Sequence, residues 1–273
     1  MITGAAAVAG IAGDPIAHSL SPVMHNAWLA AAGMDGAYVP FRPRDPAGFA
    51  ALVAAGRAGL LQGLNVTAPF KEQAFGLADT ATDRARRVGS ANILVFEDGR
   101  VHADSADGEG LLIALVDQAP KLELRDSLVA VLGAGGAARA AVGSLVDAGA
   151  EVRLLNRSRD RAEALAAELG NRVSVAEDEA VIRDAALIIN ALSVQPTIDL
   201  DHLSADAVVM DMTYRPVETA LLKAARARGL MTVDGLAMLI GQAAPSFEAL
   251  FHRPPPPLDL RPLLLAHLEG VGG

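Results

Sequence analysis

The chain has 273 residues, more than a usual single domain, so two compact units are expected. Hydrophobic residues make up 52% and charged residues 20%, which excludes a disordered chain. A net charge of -9 argues against a broad nucleic-acid or anionic-membrane surface, and the absence of cysteine excludes a disulfide scaffold, a thiolate metal site and a thiol nucleophile.

The apolar opening segment, residues 1–15, lacks a basic leader and reads as a buried first strand rather than a secretion signal. No apolar stretch reaches the roughly 20 residues that a bilayer requires. A cytoplasmic location is therefore expected. Strands are predicted at 8–11, 37–41 and 60–66. Between the first two lies a helix with Ser21 as N-cap, Pro22 at its first position and Gly33 as its stop. An amphipathic helix is predicted at 110–118, followed by a charged link. Buried strands then recur at 128–132, 151–155, 187–190, 208–211 and 230–233, with helices at 159–169 and 218–228. A helical stretch over 236–250 leads through the proline run 254–257 to a last helix at 260–268, which returns to the first unit. This alternation predicts an α/β protein. An N-terminal α/β unit over 1–106 is completed by 236–273, a doubly wound Rossmann-type unit covers 107–235, and a ligand cleft is expected between them at the strand ends.

The 128–132 strand runs directly into Gly133-Ala134-Gly135-Gly136-Ala137-Ala138, a G-x-G-x-x-A fingerprint opening a helix. Gly133 permits the tight turn, Gly135 lets a pyrophosphate approach the backbone, and Ala138 allows close helix–sheet packing. The helix N-terminus then offers free N–H groups to phosphate. At the end of the next strand a carboxylate would bind the ribose 2′-hydroxyl of NAD. The sequence instead reads Asn156-Arg157-Ser158. Arg157 supplies a charged fork, Ser158 a hydroxyl and Arg159 further charge, so NADP is the expected cofactor.

The first unit carries polar residues at turn positions. Ser19 and Ser21 present two hydroxyls at a helix start, an arrangement suited to a carboxylate. Asn65, Thr67 and Lys71 stand at the mouth of a strand, and Asn92 and Asp107 lie in later turns. Together, and in order over nearly the whole chain, these segments resemble the shikimate dehydrogenase family. The resemblance rests on S-x-S-P-x-x-H-N at 19–26, N-V-T-x-P-F-K at 65–71, the strand start Gly89 to Asn92, the Ser105 to Gly108 turn, the glycine loop, Asn156 to Ser158, and D-G-x-x-M-L-x-x-Q-A at 234–243.

This resemblance implies NADP-dependent reduction of 3-dehydroshikimate to shikimate, a step in the formation of chorismate and the aromatic amino acids. Ser19 and Ser21 would hold the substrate carboxylate with Tyr214 nearby, and Thr67, Asn92 and Gln242 would bind ring hydroxyls. Lys71 and Asp107 would form the catalytic pair, and Met212 and Gly235 would line the nicotinamide pocket. Hydride addition to a ketone leaves negative charge growing on oxygen, which an ammonium can protonate and stabilise. The expected partner is a small cyclic hydroxy acid, with no nucleic acid, membrane or metal; a homodimer is left open.

Two departures stand out. Where the family has N-T-D-G this chain has Ser105-Ala106-Asp107-Gly108, and N-A-T-S-x-G becomes Asn190-Ala191-Leu192-Ser193-Val194-Gln195. They keep two alternatives in view: a dehydrogenase for a related ring acid such as quinate or aminoshikimate, and a non-catalytic NADP-binding sensor.

Overall fold

The computed structural model describes residues 2–192 and 194–270, with the side chain of Glu179 also outside the description. It divides into two compact units: residues up to Ala106 together with those from Gln242 onward, and Asp107–Gly241.

The first unit contains β1 (Ala7–Ala12), α1 (Ser21–Ala31), β2 (Gly36–Phe41), α2 (Pro46–Arg57), β3 (Gly63–Val66), α3 (Lys71–Gly76), β4 (Thr80–Ala81), α4 (Asp83–Val88), β5 (Ile93–Glu97) and β6 (Arg100–Asp104). Its six strands lie in the order β2-β1-β3-β5-β6-β4. β1 pairs in parallel with both β2 and β3, whereas β5 runs antiparallel to β3 and β6. The β5–β6 hairpin turns on Asp98 and Gly99, both at positive φ (50° and 73°), the conformation a two-residue hairpin demands. On one side of the sheet Phe49 stacks on Phe70 with centroids 4.8 Å apart, within an aliphatic core that includes Val53, Leu64 and Leu94.

Two sequence expectations are corrected here. Ser21 does not cap α1. Leu20 holds the N-cap position with helical backbone and no side-chain cap, Ser21 is already helical, and its hydroxyl bonds Tyr38 instead. The third strand starts at Gly63 rather than at residue 60. The Leu60 N–H closes the C-terminus of α2 on the Ala55 carbonyl (3.1 Å), and Gly59 takes the left-handed conformation (φ 86°) that ends a helix.

The second unit comprises α5 (Asp107–Gln118), β7 (Leu128–Leu132), α6 (Gly136–Asp147), β8 (Glu151–Leu155), α7 (Arg159–Leu169), β9 (Val173–Val175), β10 (Leu187–Asn190), β11 (Val208–Asp211), α8 (Ala220–Ala227) and β12 (Met231–Asp234), with a 3-10 turn at Glu179–Asp184. The sheet is parallel throughout, ordered β12-β11-β10-β7-β8-β9. That is the doubly wound order, whose direction reverses beside β7 and leaves a ligand crevice beyond the strand ends. Strands covered on both faces read as near-continuous apolar runs, which is why Leu128–Leu132 and Leu187–Asn190 stand out in the sequence. Helix α5 crosses α6 closely at Gly108, where a Cβ would collide with Ser144 Oγ and the Ala140 carbonyl.

From Gly235 a long helix, α9 (Gly235–Phe251), runs into the segment that belongs to the first unit, and α10 (Arg261–Gly270) follows. Asp234 caps α9, accepting the Ala237 N–H (2.9 Å). No described helix is long and apolar enough to cross a membrane.

Candidate active site

In the first unit the loops that follow β1 and β3 form one surface. The Asp14 N–H donates to the Ala68 carbonyl (3.1 Å) and the Thr67 N–H to the Ala12 carbonyl (2.9 Å). Gly13 must be glycine, because a Cβ there would strike Thr67 Cγ2. Ser19 follows on the β1 loop and Ser21 opens α1, with the Ser21 N–H donating to Ser19 Oγ (3.3 Å).

Lys71 opens α3, and its carbonyl accepts the Ala91 N–H (3.0 Å), which ties it to the segment entering β5. On that segment Asn92 Nδ2 donates to Gln242 Oε1 (3.3 Å). Thr67 and Lys71 on one segment, Asn92 on a second and Gln242 on a third thus belong to the same unit. The placement of Lys71 is informative. A cation at a helix N-terminus opposes the helix dipole by roughly 0.3–1 kcal/mol.

Behind these residues lies a buried polar layer that the sequence reading left without a role. Tyr38 is 1% exposed, and its hydroxyl donates to Asn65 Oδ1 (2.7 Å) while accepting from Ser21. Burial raises the Tyr38 pKa well above its ordinary value, partly offset by the Ser21 hydrogen bond. Asn65 Nδ2 donates to the Asn92 carbonyl (3.1 Å) and to Ser246 Oγ (3.0 Å). His25 stacks on Tyr38 with centroids 4.1 Å apart, and neither ring nitrogen has a hydrogen-bond partner. Burial lowers its pKa from 6.5 to about 3.

The altered turn is well supported. Ala106 is fully buried, and its N–H donates to Asn92 Oδ1 (2.8 Å). The Ser105 N–H donates to Asp104 Oδ1 (2.7 Å), and Asp104 also takes a bidentate pair of bonds from Arg84 (2.6 Å each). Burial alone would raise the Asp104 pKa, but Arg84 and Thr82 outweigh it and hold the carboxyl below its ordinary value. An alanine at 106 therefore orphans no polar group, whereas a buried hydroxyl there would need a partner of its own.

In the second unit, Asp107 is the first residue of α5, where a carboxylate suits the helix dipole whatever else it does. Gly133 has φ 116°, and its N–H donates to the Leu155 carbonyl (2.8 Å), fixing the tight turn after β7. Beyond it, a Cβ on Gly135 or Gly136 would meet no protein atom within 4 Å. No packing demands glycine at these two positions, so the space is free for a ligand to approach the backbone. Ala138, by contrast, is fully buried against the sheet.

A groove of about 800 Å3 runs along this edge, lined by Gly133, Ala134, Gly135, Asn156, Arg157 and Ser158 among others. Asn156 Nδ2 donates to the Ser158 carbonyl (2.7 Å) and shapes the turn that presents Arg157. Arg159, expected to add charge, pairs with Glu163 instead (2.7 Å). The second arginine lining the groove is Arg161. It lies in the first turn of α7, two residues beyond Arg159. No carboxylate lines the groove among the described residues, so nothing there repels a 2′-phosphate.

Gly136 and Ala137 lie in the first turn of α6. Leu192 lies against Gly133, and Gln195 Nε2 donates to the buried carboxylate of Asp211 (3.2 Å); Ser193 is outside the described residues. Met212 and Gly235 are brought together at the ends of β11 and β12, where a Cβ on Gly235 would collide with the Met212 backbone. Tyr214 follows on the same loop, and burial raises its pKa, so it remains a phenol donor at neutral pH. No group of three His, Cys, Asp or Glu side chains is arranged for a metal among the described residues.

A model described as shikimate dehydrogenase substrate binding domain matches residues 11–94, and one described as shikimate / quinate 5-dehydrogenase matches residues 115–234. A shikimate dehydrogenase (NADP(+)) of Caulobacter vibrioides is 51% identical over 283 aligned positions, covering 99% of each chain. The solved shikimate dehydrogenase of Aquifex aeolicus is 35% identical with a TM-score of 0.87, covering 94% of this chain and 96% of that one. The Thermus thermophilus enzyme, solved in complex with NADP(H) and shikimate, is 33% identical with a TM-score of 0.83, covering 92% and 95%. This chain belongs to the shikimate dehydrogenase family.

Proposed function

We propose that the chain reduces 3-dehydroshikimate to shikimate with NADPH, reversibly, as a step toward chorismate. The observation that carries this reading is the gathering of Thr67, Asn92 and Gln242, neutral donors and acceptors suited to ring hydroxyls, beside the lysine that opens α3. Ser19 donates its hydroxyl to the substrate carboxylate; Ser21, whose hydroxyl hydrogen goes to Tyr38, shapes the same end of the site by directing its N–H at Ser19 Oγ (3.3 Å), and Tyr214 serves that end too. Lys71 delivers a proton to the carbonyl oxygen as charge grows there and takes it back in the reverse direction. Asp107 is the carboxylate assigned to the same proton chemistry.

NADPH, when bound, supplies the hydride. Gly133, Ala134, Gly135, Gly136 and Ala137 carry the backbone that cradles its pyrophosphate at the start of α6. Asn156, Arg157, Ser158 and Arg161 face its 2′-phosphate, and Met212 and Gly235 shape the nicotinamide end.

The test is spectrophotometric. Purified protein with NADP and shikimate at mildly alkaline pH should form NADPH, and with quinate it should form little. Turnover of quinate in preference to shikimate would sink the substrate assignment.

The clamp has its own expected signature. Arg157→Ala and Arg161→Ala should each raise KM for NADP about tenfold, since a hydrogen bond to a charged group is worth about 1.5–3 kcal/mol. KM for NAD should hardly move. Equal losses with both cofactors would refute a phosphate-specific clamp.

A further inference from the structure

We propose that Tyr38, with Asn65 and Ser246, is a positioning element for the substrate site: a continuous buried chain of hydrogen bonds that fixes Ser21 at one end and Asn92 and Gln242 at the other. This inference rests on the substrate reading given above.

The Tyr38, Asn65 and Ser246 bonds have defined donors and acceptors. Ser21 donates to the Tyr38 hydroxyl, which spends its own hydrogen on Asn65 Oδ1 (2.7 Å). Both amide hydrogens of Asn65 are then committed, one to the Asn92 carbonyl (3.1 Å) and one to Ser246 Oγ (3.0 Å). The Ser246 hydroxyl donates in turn to the Gln242 carbonyl (3.0 Å), one turn back along α9. Turning the Asn65 amide over would set its oxygen against the Asn92 carbonyl, two acceptors with no hydrogen between them. Only one arrangement satisfies all members, so the end residues are oriented together.

Packing alone gives no reason for this expense. Tyr38 is 1% exposed, Asn65 5% and Ser246 0%, and an aromatic ring held between apolar neighbours needs no hydroxyl. The ring is immobilised by His25, stacked at 4.1 Å and nearly parallel (6°), and Phe247 lies beyond His25. β2, β3, the segment entering β5 and α9 are thereby joined by one set of buried hydrogen bonds.

Tyr38→Phe keeps the ring and its stacking and removes only the hydroxyl. It should raise KM for shikimate about tenfold, with kcat and KM for NADP within about twofold of wild type, because one hydrogen-bond increment is lost from ligand orientation. Ser246→Ala breaks the chain at its other end and should also raise KM for shikimate; it carries the test if the tyrosine variant does not accumulate. In the double variant the two effects should be less than multiplicative, as expected of one coupled network. A purely structural network would lower Tm and leave KM for shikimate unmoved, and that result, or multiplicative effects, would overturn the proposal. Lack of turnover by the wild type with shikimate would overturn the functional reading and this inference with it. Wild-type turnover with an unchanged Tyr38→Phe KM would overturn the inference alone.

Discussion

Replacing Lys71 by methionine is expected to lower kcat by about 10²–10⁴-fold, the range typical of losing a positioned proton donor. Methionine preserves much of the length and apolar volume of the stem, so α3 should keep its contacts, including the Ala91 N–H bond to the carbonyl of residue 71. Removing a cation from a helix N-terminus also relieves its opposition to the helix dipole. Loss of rate with undiminished Tm and unaltered NADP affinity would therefore isolate the proton-transfer role. A variant with wild-type kcat would remove Lys71 from the chemistry. Asp107→Asn gives a weaker discrimination, because Asp107 also favours the start of α5 and its loss mixes stability with rate.

The second large effect concerns acid stability. Unfolded His25 takes up a proton as pH falls through 6.5, whereas in the folded protein burial postpones uptake to about 3. Unfolding is thus coupled to proton binding, and the stability present in full above 6.5 falls as the solution is acidified towards 3. The slope is about 1.4 kcal/mol per pH unit, which gives about 2 kcal/mol between pH 6.5 and 5, before most carboxylates titrate. Urea unfolding of the wild type at these two pH values should show that loss. In His25→Phe or His25→Leu the loss should largely disappear, because the ring makes no hydrogen bond that the substitution would break. An equal slope in variant and wild type would show that His25 is not the group responsible.

The second unit was legible in the sequence because its information is local. A strand buried on both faces is a short apolar run, and the glycine fingerprint needs only its flanking strand and helix to be read. The first unit was harder to read. β4 is two residues long, and α3 and α4 are six each, too short to show a helical period. The β5–β6 hairpin was overlooked although Asp98-Gly99 is a strong turn signal. Ser21 was misread as a cap because its actual partner, Tyr38, comes from another strand. The same limit hid the layer behind the site. Asn65 meets Ser246 across 181 residues of sequence, and no spacing rule reaches that far. Arg161 is a different case, since it stands two residues beyond Arg159 in the same short basic segment, and only the assumption that Arg159 faces the groove obscured it.

The division of the chain also has a consequence for biosynthesis. The nucleotide-binding unit is one uninterrupted segment, Asp107–Gly241, whereas the first unit takes its closing piece from Gln242 onward. During synthesis the second unit is complete and able to fold while the first still lacks Gln242, Ser246 and Phe247. Domains commonly fold in order of emergence from the ribosome, but here the later segment can finish first. Until α9 emerges, Asn65 has no Ser246 to receive its amide hydrogen, and the aromatic group of His25, Trp28 and Tyr38 has no Phe247 against it. The nascent first unit therefore exposes an aromatic face for the whole time the second is being made, and that interval is when chaperone engagement is most needed.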